Sequence, residues 1–233
     1  MIRLLLVEDD TNLSYMVKSS LEDMIGGYEV LTANNGEEGL SIWKEEKPEV
    51  IISDIEMPVL NGFEMVRHIR ETDGDILIIF ASGLVSAKDV ERGYKLGVNN
   101  YVKKPFIPEE LDAHIQALLK LKKGQPARNE ERQYRLGHST FLATQYALKD
   151  NEGNLKTLTV REAGILELLC RNKGSVVKRE SILSEFWNVD SDFYAGRSLD
   201  VFMNNLRKSL AEEPAIEIKT VRGVGYSLEA DHV

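Results

Sequence analysis

Acidic residues and a lysine stand where apolar runs stop. Asp54 follows Val50-Ile51-Ile52-Ser53, Glu8-Asp9-Asp10 follows Ile2–Val7, and Lys104 follows the short run Tyr101-Val102, just before Pro105. Such runs predict buried strands, and polar side chains at the carboxyl ends of parallel strands point into the crevice where open sheets bind ligands. Carboxylates crowded there raise one another's pKa unless a cation offsets them, and Mg2+ suits such hard oxygen donors while keeping water and phosphate oxygens. One carboxylate, Asp54, can then attack phosphorus to give an aspartyl-phosphate. Lys104 offsets charge on the transferring group, and Ser82, ending a fourth apolar run, offers a hydroxyl. Each piece alone has a plainer explanation. Glu8-Asp9-Asp10 also suits the N-cap and first turn of a helix at Thr11, Asp54 a loop, and Tyr101 simple packing.

The elements that must position these groups alternate. Strands are expected at Ile2–Val7, Tyr28–Ala33, 49–53, 76–81 and 100–102. Between them, helical spacing is carried by Leu13, Met16, Val17, Leu21 and Met24, by Leu40 and Trp43, by Phe63, Val66 and Ile69, and by a segment at 86–96. A fifth helix after Pro108 turns Leu111, Ile115 and Leu118 inward. Five strands alternating with five helices predict an α/β doubly wound parallel sheet, covered on both faces. Residues 122–133 lack apolar periodicity and are rich in charge, as a linker would be. Beyond them come short strands over 134–149, a turn at Asp150-Asn151-Glu152-Gly153, and a capping box of Thr159 and Glu162. Three helices and a closing hairpin around Gly223-Val224-Gly225 complete a small α+β unit. The expected division is 1–121, linker 122–133, and 134–233.

Charge separates the two halves. Residues 1–121 carry 12 Lys/Arg against 22 Asp/Glu, net −10, whereas residues 122–233 carry 17 against 16, net +1. The acidic half is excluded as a nucleic-acid surface, and the other half qualifies where its cations cluster. No window reaches the ~20 apolar residues of a membrane span, and the N-terminal apolar stretch is too short for a signal peptide. The single cysteine, Cys170, allows no intrachain disulfide and lies on an apolar helix side, so a cytoplasmic protein with a buried free thiol is expected.

With these motifs in place, residues 1–121 resemble the receiver domain of a two-component response regulator. The matching residues are Glu8-Asp9, Asp54 in D-I-E-M-P, Ser82, Tyr101 and Lys104-Pro105-Phe106, in order and spacing. The resemblance implies phosphorylation of Asp54 by a sensor histidine kinase. It also implies Mg2+ held at Glu8, Asp9 and Asp54 and by the backbone carbonyl of Glu56. Ser82 and Tyr101 would be a switch pair, the hydroxyl moving onto the phosphoryl group and the ring following it inward. The peptide before Pro105 is cis in relatives. The resemblance implies no turnover of an external substrate. A phosphatase of the haloacid-dehalogenase type, which also forms an aspartyl-phosphate, places a second Asp two positions after the nucleophile; here that residue is Glu56.

The third helix of the second half has two stripes. Leu199, Phe202, Met203, Leu206 and Leu210 form an inward one; Arg197, Val201, Asn204 and Lys208, with Asn205 beside them, form another suited to base edges and phosphates. Thr220 and Arg222, with Lys219, make a cationic tip on the closing hairpin. Residues 134–230 resemble the winged-helix effector domain of OmpR/PhoB-type regulators, through Leu158-Thr159-Val160-Arg161-Glu162, R-S-L-D-V at 197–201, Leu206-Arg207-Lys208 and T-V-R-G-V-G-Y at 220–226. The resemblance implies double-stranded promoter DNA, RNA polymerase and a second copy of the chain as partners. Relatives commonly carry arginine where Asn204 and Asn205 stand, so an A·T-rich half-site is expected. Relatives dimerise through charged pairs on the fourth helix, fifth strand and fifth helix. Val90, Asn99, Asn100 and His114 stand at such places, which predicts a more apolar dimer face. The loop at 188–196, with Phe193 and Tyr194, is a candidate polymerase contact. The alternative is the same architecture with DNA binding indifferent to phosphate.

Overall fold

The computed structural model describes residues 1–83, 86–123, 132–187 and 195–230. These form two compact units, 1–118 and 119–233.

In the first unit the strands are β1 (Ile2–Val7), β2 (Tyr28–Ala33), β3 (Val50–Ser53), β4 (Leu77–Ser82) and β5 (Asn100–Lys103). All pairings are parallel, in the order β2-β1-β3-β4-β5. Val50, Ile51, Ile52, Leu77, Ile78, Ile79 and Phe80 are fully buried, because helices cover both faces and leave no polar side to the central strands. The helices are α1 (Thr11–Ser19), α2 (Gly36–Glu46), α3 (Gly62–Arg70), α4 (Ala87–Lys95) and α5 (Pro108–Lys123). Phe63, Val66, Ile69, Leu111, Ile115 and Leu118 are buried as expected. Asp10 caps α1, its carboxylate accepting from the amides of Asn12 and Leu13, so the plain explanation of the acidic triplet holds for this one member.

One helix departs from its expected face. After α1 the chain runs through a π-helical segment, Ser20–Ile25, and Met16 and Met24 are exposed rather than inward. The wider winding rotates Met24 off the stripe that Val17 and Leu21 define. β4 also begins one residue later than expected, at Leu77.

In the second unit, β6 (Gln133–Leu136), β7 (Ser139–Leu142), β8 (Ala147–Lys149) and β9 (Leu155–Thr157) form an antiparallel four-stranded sheet. Then come α6 (Val160–Arg171), β10 (Val176–Lys178), α7 (Arg179–Phe186), α8 (Ala195–Ser209), β11 (Ile216–Val221) and β12 (Gly225–Ala230). β10, β12 and β11 make a second sheet in that order; β10 is too short to show alternation in the sequence. Thr159 and Glu162 close the capping box of α6. The inward stripe of α8, Leu199 to Leu210, is buried throughout. Of the expected linker, α5 claims residues to Lys123 and β6 begins at Gln133; residues 124–131 lie outside the described residues.

Gly62 sets the exit from β3. Its amide donates to Ile55 O at 2.9 Å, and a Cβ there would stand 2.2 Å from the carbonyl oxygen of Asp54. Backbone cannot yield as a flexible side-chain tip can, so Gly62→Ala is expected to lower stability by roughly 3 kcal/mol. The urea midpoint checks this, and a midpoint equal to that of the unaltered chain would refute it.

Candidate functional site

Strand register brings the chemistry together. β1 and β3 are neighbours on either side of the point where the winding of the sheet reverses, and ligand crevices open at such points. Val7 pairs with Ser53, so Glu8 and Asp54 leave adjacent strand ends, with the Asp54 amide donating to Val7 O at 2.9 Å. Ser82 pairs with Lys103, and the Lys104 amide donates to Ser82 O at 3.0 Å. The Lys104–Pro105 peptide is cis.

One carboxylate oxygen from each of Glu8, Asp9 and Asp54 lies within 4.8 Å of the others. The Lys104 ammonium donates to both Glu8 oxygens, at 2.9 and 2.7 Å, and to Asp54 Oδ2. Asp54 Oδ1 faces the other way and accepts from the Ile55 amide at 2.5 Å. Glu8 and Asp54 are nearly enclosed, their side chains 4% and 11% exposed, while Asp9 is open to solvent. Asp9 and Glu56 line a cavity of about 540 Å³ with Pro58, Phe63, Asp89 and Arg92. Hard oxygen donors with one open side fit Mg2+, which keeps several waters. Against that fit, Lys104 already occupies both Glu8 oxygens, so Glu8 reaches a cation only when the ammonium moves.

Electrostatics divide the Glu8–Lys104 pair unevenly. Burial raises the Glu8 pKa, and the hydrogen bond and charge of Lys104 offset only part of it. Burial by itself lowers Lys104, but hydrogen bonds with Asp54 and Glu8 outweigh it and raise the lysine. Glu8 is the more deeply enclosed partner, which is why the ion pair does not restore it.

Ser82, which ends β4 beside Lys103, and Tyr101 on β5 are both buried, at 1% and 3% exposure. The Tyr101 ring lies edge-on to Phe80 at 5.8 Å, and Phe80 lies edge-on to Phe63 at 5.4 Å. The residues assigned to a dimer face are placed differently from expectation. Val90, Asn99, Asn100 and His114 are all buried. Asn99 Oδ1 accepts from the Ile78 amide at 2.8 Å and from Arg70 at 3.2 Å, and Asn100 Nδ2 lies 2.7 Å from His114 Nδ1. Polar side chains can be enclosed once paired, so these four cannot supply an apolar outer face.

In the second unit, Arg197, Asn204 and Lys208 are exposed on α8, as are Thr220 and Arg222 on the hairpin. Two expected members of that face are not. Val201 is only 8% exposed, because it borders the buried stripe at Phe202. Asn205 donates to Glu162 Oε1 at 3.1 Å, which draws it toward α6. Arg179, unmarked in the sequence, fixes the start of α8. It donates to Gly196 O at 2.5 Å, to Asp200 Oδ1 at 2.6 Å and to the Tyr226 hydroxyl at 2.8 Å. The loop at 188–196, with Phe193 and Tyr194, falls outside the described residues as far as 194. Cys170 is half-buried and burial pushes its thiol up to about 12, so it is inert near neutral pH. Among the described residues no helix is long and apolar enough to cross a membrane.

Comparison with known proteins assigns each unit separately. The family model "Response regulator receiver domain" matches residues 4–116, and "Transcriptional regulatory protein, C terminal" matches residues 153–228. The transcriptional regulatory protein RprY of Bacteroides fragilis is 32% identical, over 97% of this chain and 94% of its own. The alkaline phosphatase synthesis transcriptional regulatory protein PhoP of Bacillus subtilis is 34% identical, over 97% and 96%. Among solved structures, the response regulator DrrB of Thermotoga maritima, an OmpR/PhoB homolog, aligns with a TM-score of 0.51 at 31% identity, covering 99% of this chain and 100% of that one.

Lys104 competes with any cation for Glu8 and Asp54. Lys104→Met is therefore expected to tighten Mg2+ binding at least about tenfold, since each ammonium contact contributes on the order of 1 kcal/mol or more. Calorimetric titration measures it, and equal or weaker binding would refute it. Metal binding needs the ionised carboxylate. With Glu8 raised above its ordinary value of 4.5, Mg2+ affinity of the unaltered chain is expected to weaken on acidification from a pH above that value, and less steeply in Glu8→Gln.

Proposed function

Because this chain belongs to the OmpR/PhoB family of two-component response regulators, we propose that Asp54 accepts a phosphoryl group from a sensor histidine kinase and that promoter binding responds to it. The observation that carries this is the convergence of Glu8, Asp9 and Asp54 under a single ammonium. A carboxylate oxygen of Asp54 attacks phosphorus, the P–N bond to the kinase histidine breaks, and its electron pair returns to the imidazole ring. The product is an acyl phosphate on Asp54. The Ile55 amide holds Asp54 Oδ1, so the side chain meets the donor in one orientation.

Lys104 exchanges its Asp54 contact for oxygens of the arriving phosphoryl group, keeping its charge where negative charge gathers. Asp9 and Asp54, with the Glu56 carbonyl, would hold Mg2+, and Glu8 would join when Lys104 moves off it. When bound, that ion supplies positive charge to the carboxylates and the phosphoryl oxygens. Ser82 donates its hydroxyl to the same oxygens, and Tyr101 responds through its packing on Phe80. The chain acts as a switch rather than on an external substrate.

In the second half, α8 enters the major groove with Arg197, Asn204 and Lys208 facing DNA. Val201 sits at the edge of that face, Asn205 is shared with Glu162, and Thr220 and Arg222 reach the backbone or the adjacent minor groove from the hairpin. The working form is a homodimer in the cytoplasm, with two half-sites about one helical turn apart, delivering its signal to RNA polymerase. Linking two weak contacts in one assembly raises their joint affinity.

Incubation with acetyl phosphate and Mg2+ should add the mass of one phosphoryl group to the intact chain and none to Asp54→Asn. Promoter fragments recovered by genome-wide mapping should then bind the phosphorylated chain at least tenfold more tightly than Asp54→Asn, with a dimer in sedimentation. No added mass would remove the phosphoryl reading. Added mass with equal affinities would instead establish DNA binding indifferent to phosphate.

A further inference from the structure

Arg207 stands between α8 and the hairpin, and each of its three guanidinium nitrogens is engaged. Nε donates to Ile218 O at 2.9 Å, Nη2 to Thr220 Oγ1 at 2.6 Å, and Nη1 to Asn204 Oδ1 at 3.4 Å. The first two contacts lie on β11 and fix the guanidinium plane; the third is the longest and falls on the exposed face of α8.

Arginine offers donors only, so the Asn204 atom turned toward it must be the carbonyl oxygen. The oxygen is then the end beside Arg207, and the amide nitrogen the end away from it. We infer that Arg207 is a positioning residue that sets which end of the Asn204 amide meets DNA, and that Thr220, acting through Arg207, bears on the same base. The inference rests on the reading that α8 occupies the major groove.

The chemistry follows from base edges. Adenine offers an acceptor at N7 and a donor at N6, which one asparagine amide meets with its nitrogen and its oxygen together. Asn204 Oδ1 keeps a second lone pair while it accepts from Arg207, so this double contact remains open in a single orientation. Thymine presents an acceptor at O4 in that place, which only a turned amide could meet. Holding the amide in that orientation therefore favours adenine and rejects thymine at one position. A hairpin residue that touches no base would thus contribute to sequence choice.

Selection from random duplexes with the full chain tests this. Asn204→Ala identifies the position that Asn204 reads. At that position, Arg207→Met and Thr220→Val should each shrink the preference for adenine over thymine from roughly tenfold to roughly threefold, the other positions keeping theirs. The double variant should go no further than Arg207→Met alone, as expected of residues acting in one chain of contacts. A preference unchanged in both variants overturns the inference. So does a loss of affinity equal across all sequences with a shallower salt dependence, the signature of a phosphate contact. Thermal melting accompanies each variant, and if Arg207→Met fails to fold, Thr220→Val alone decides. If Asn204→Ala alters no position, the placement of α8 in the groove fails and the inference with it.

Discussion

The structure of the first unit turns on a charge imbalance. Three carboxylates approach within 4.8 Å, two of them nearly enclosed, and one lysine stands against them. Like charges about 4 Å apart in partly buried surroundings repel by several kcal/mol, on the order of 4 at an intermediate dielectric. One ammonium cannot neutralise three carboxylates. The crevice is therefore left short of positive charge, which a divalent cation would offset and a phosphoryl group alone would deepen. Metal and phosphate are expected to depend on one another here. The sheet supplies the rigidity that keeps the carboxylates close: fully buried strands on either side, and a glycine at position 62 that lets the loop fold against the Asp54 carbonyl.

An arginine plays the corresponding part in the second unit. Arg179, at the first turn of α7, joins Gly196 and Asp200 at the start of α8 to Tyr226 on β12. Tyr226 donates in turn to Asp200 Oδ1 at 2.8 Å, so three elements meet on one carboxylate. Arg161, buried on α6, lies over the Trp187 ring at 4.4 Å and so packs the end of α7 against α6. The orientation of α8 is thus set by contacts with α7, β12 and Gly196. Pairing a cation with a carboxylate at a half-exposed site adds little stability in itself, but it fixes orientation.

Much of this was legible in the residues. Apolar runs ending in acids located the crevice, because in a parallel sheet strand ends and ligand sites coincide. The inward stripe of α8 followed from helical spacing alone. Faces and edges were harder. Periodicity distinguishes the centre of a stripe from its opposite, not the border, so Val201 was placed outside although it is 8% exposed. Asn99, Asn100 and His114 were placed on an outer face by resemblance to relatives that carry charges there, yet Asn99 finds Arg70 and the Ile78 amide, and Asn100 finds His114. A partner 29 residues away leaves no local mark in the sequence. The π-helical segment at Ser20–Ile25 was equally hidden, since one wider turn changes no residue type.

A continuous line of aromatic contacts joins β5, β4, α3 and α4. Tyr101 meets Phe80, Phe80 meets Phe63, and the Arg92 guanidinium lies over Phe63 at 4.1 Å. Gly93 permits this approach: a Cβ there would stand 3.2 Å from the Phe80 ring and 3.5 Å from the Tyr101 ring. α4 is thereby seated directly on the Phe80 and Tyr101 rings. Close-packed rings cannot absorb a displacement gradually, because edge-on contacts hold only within a narrow range of distance and angle. A displacement of any one ring must be taken up by moving α4 or by repacking all three rings together, and the first disturbs fewer contacts.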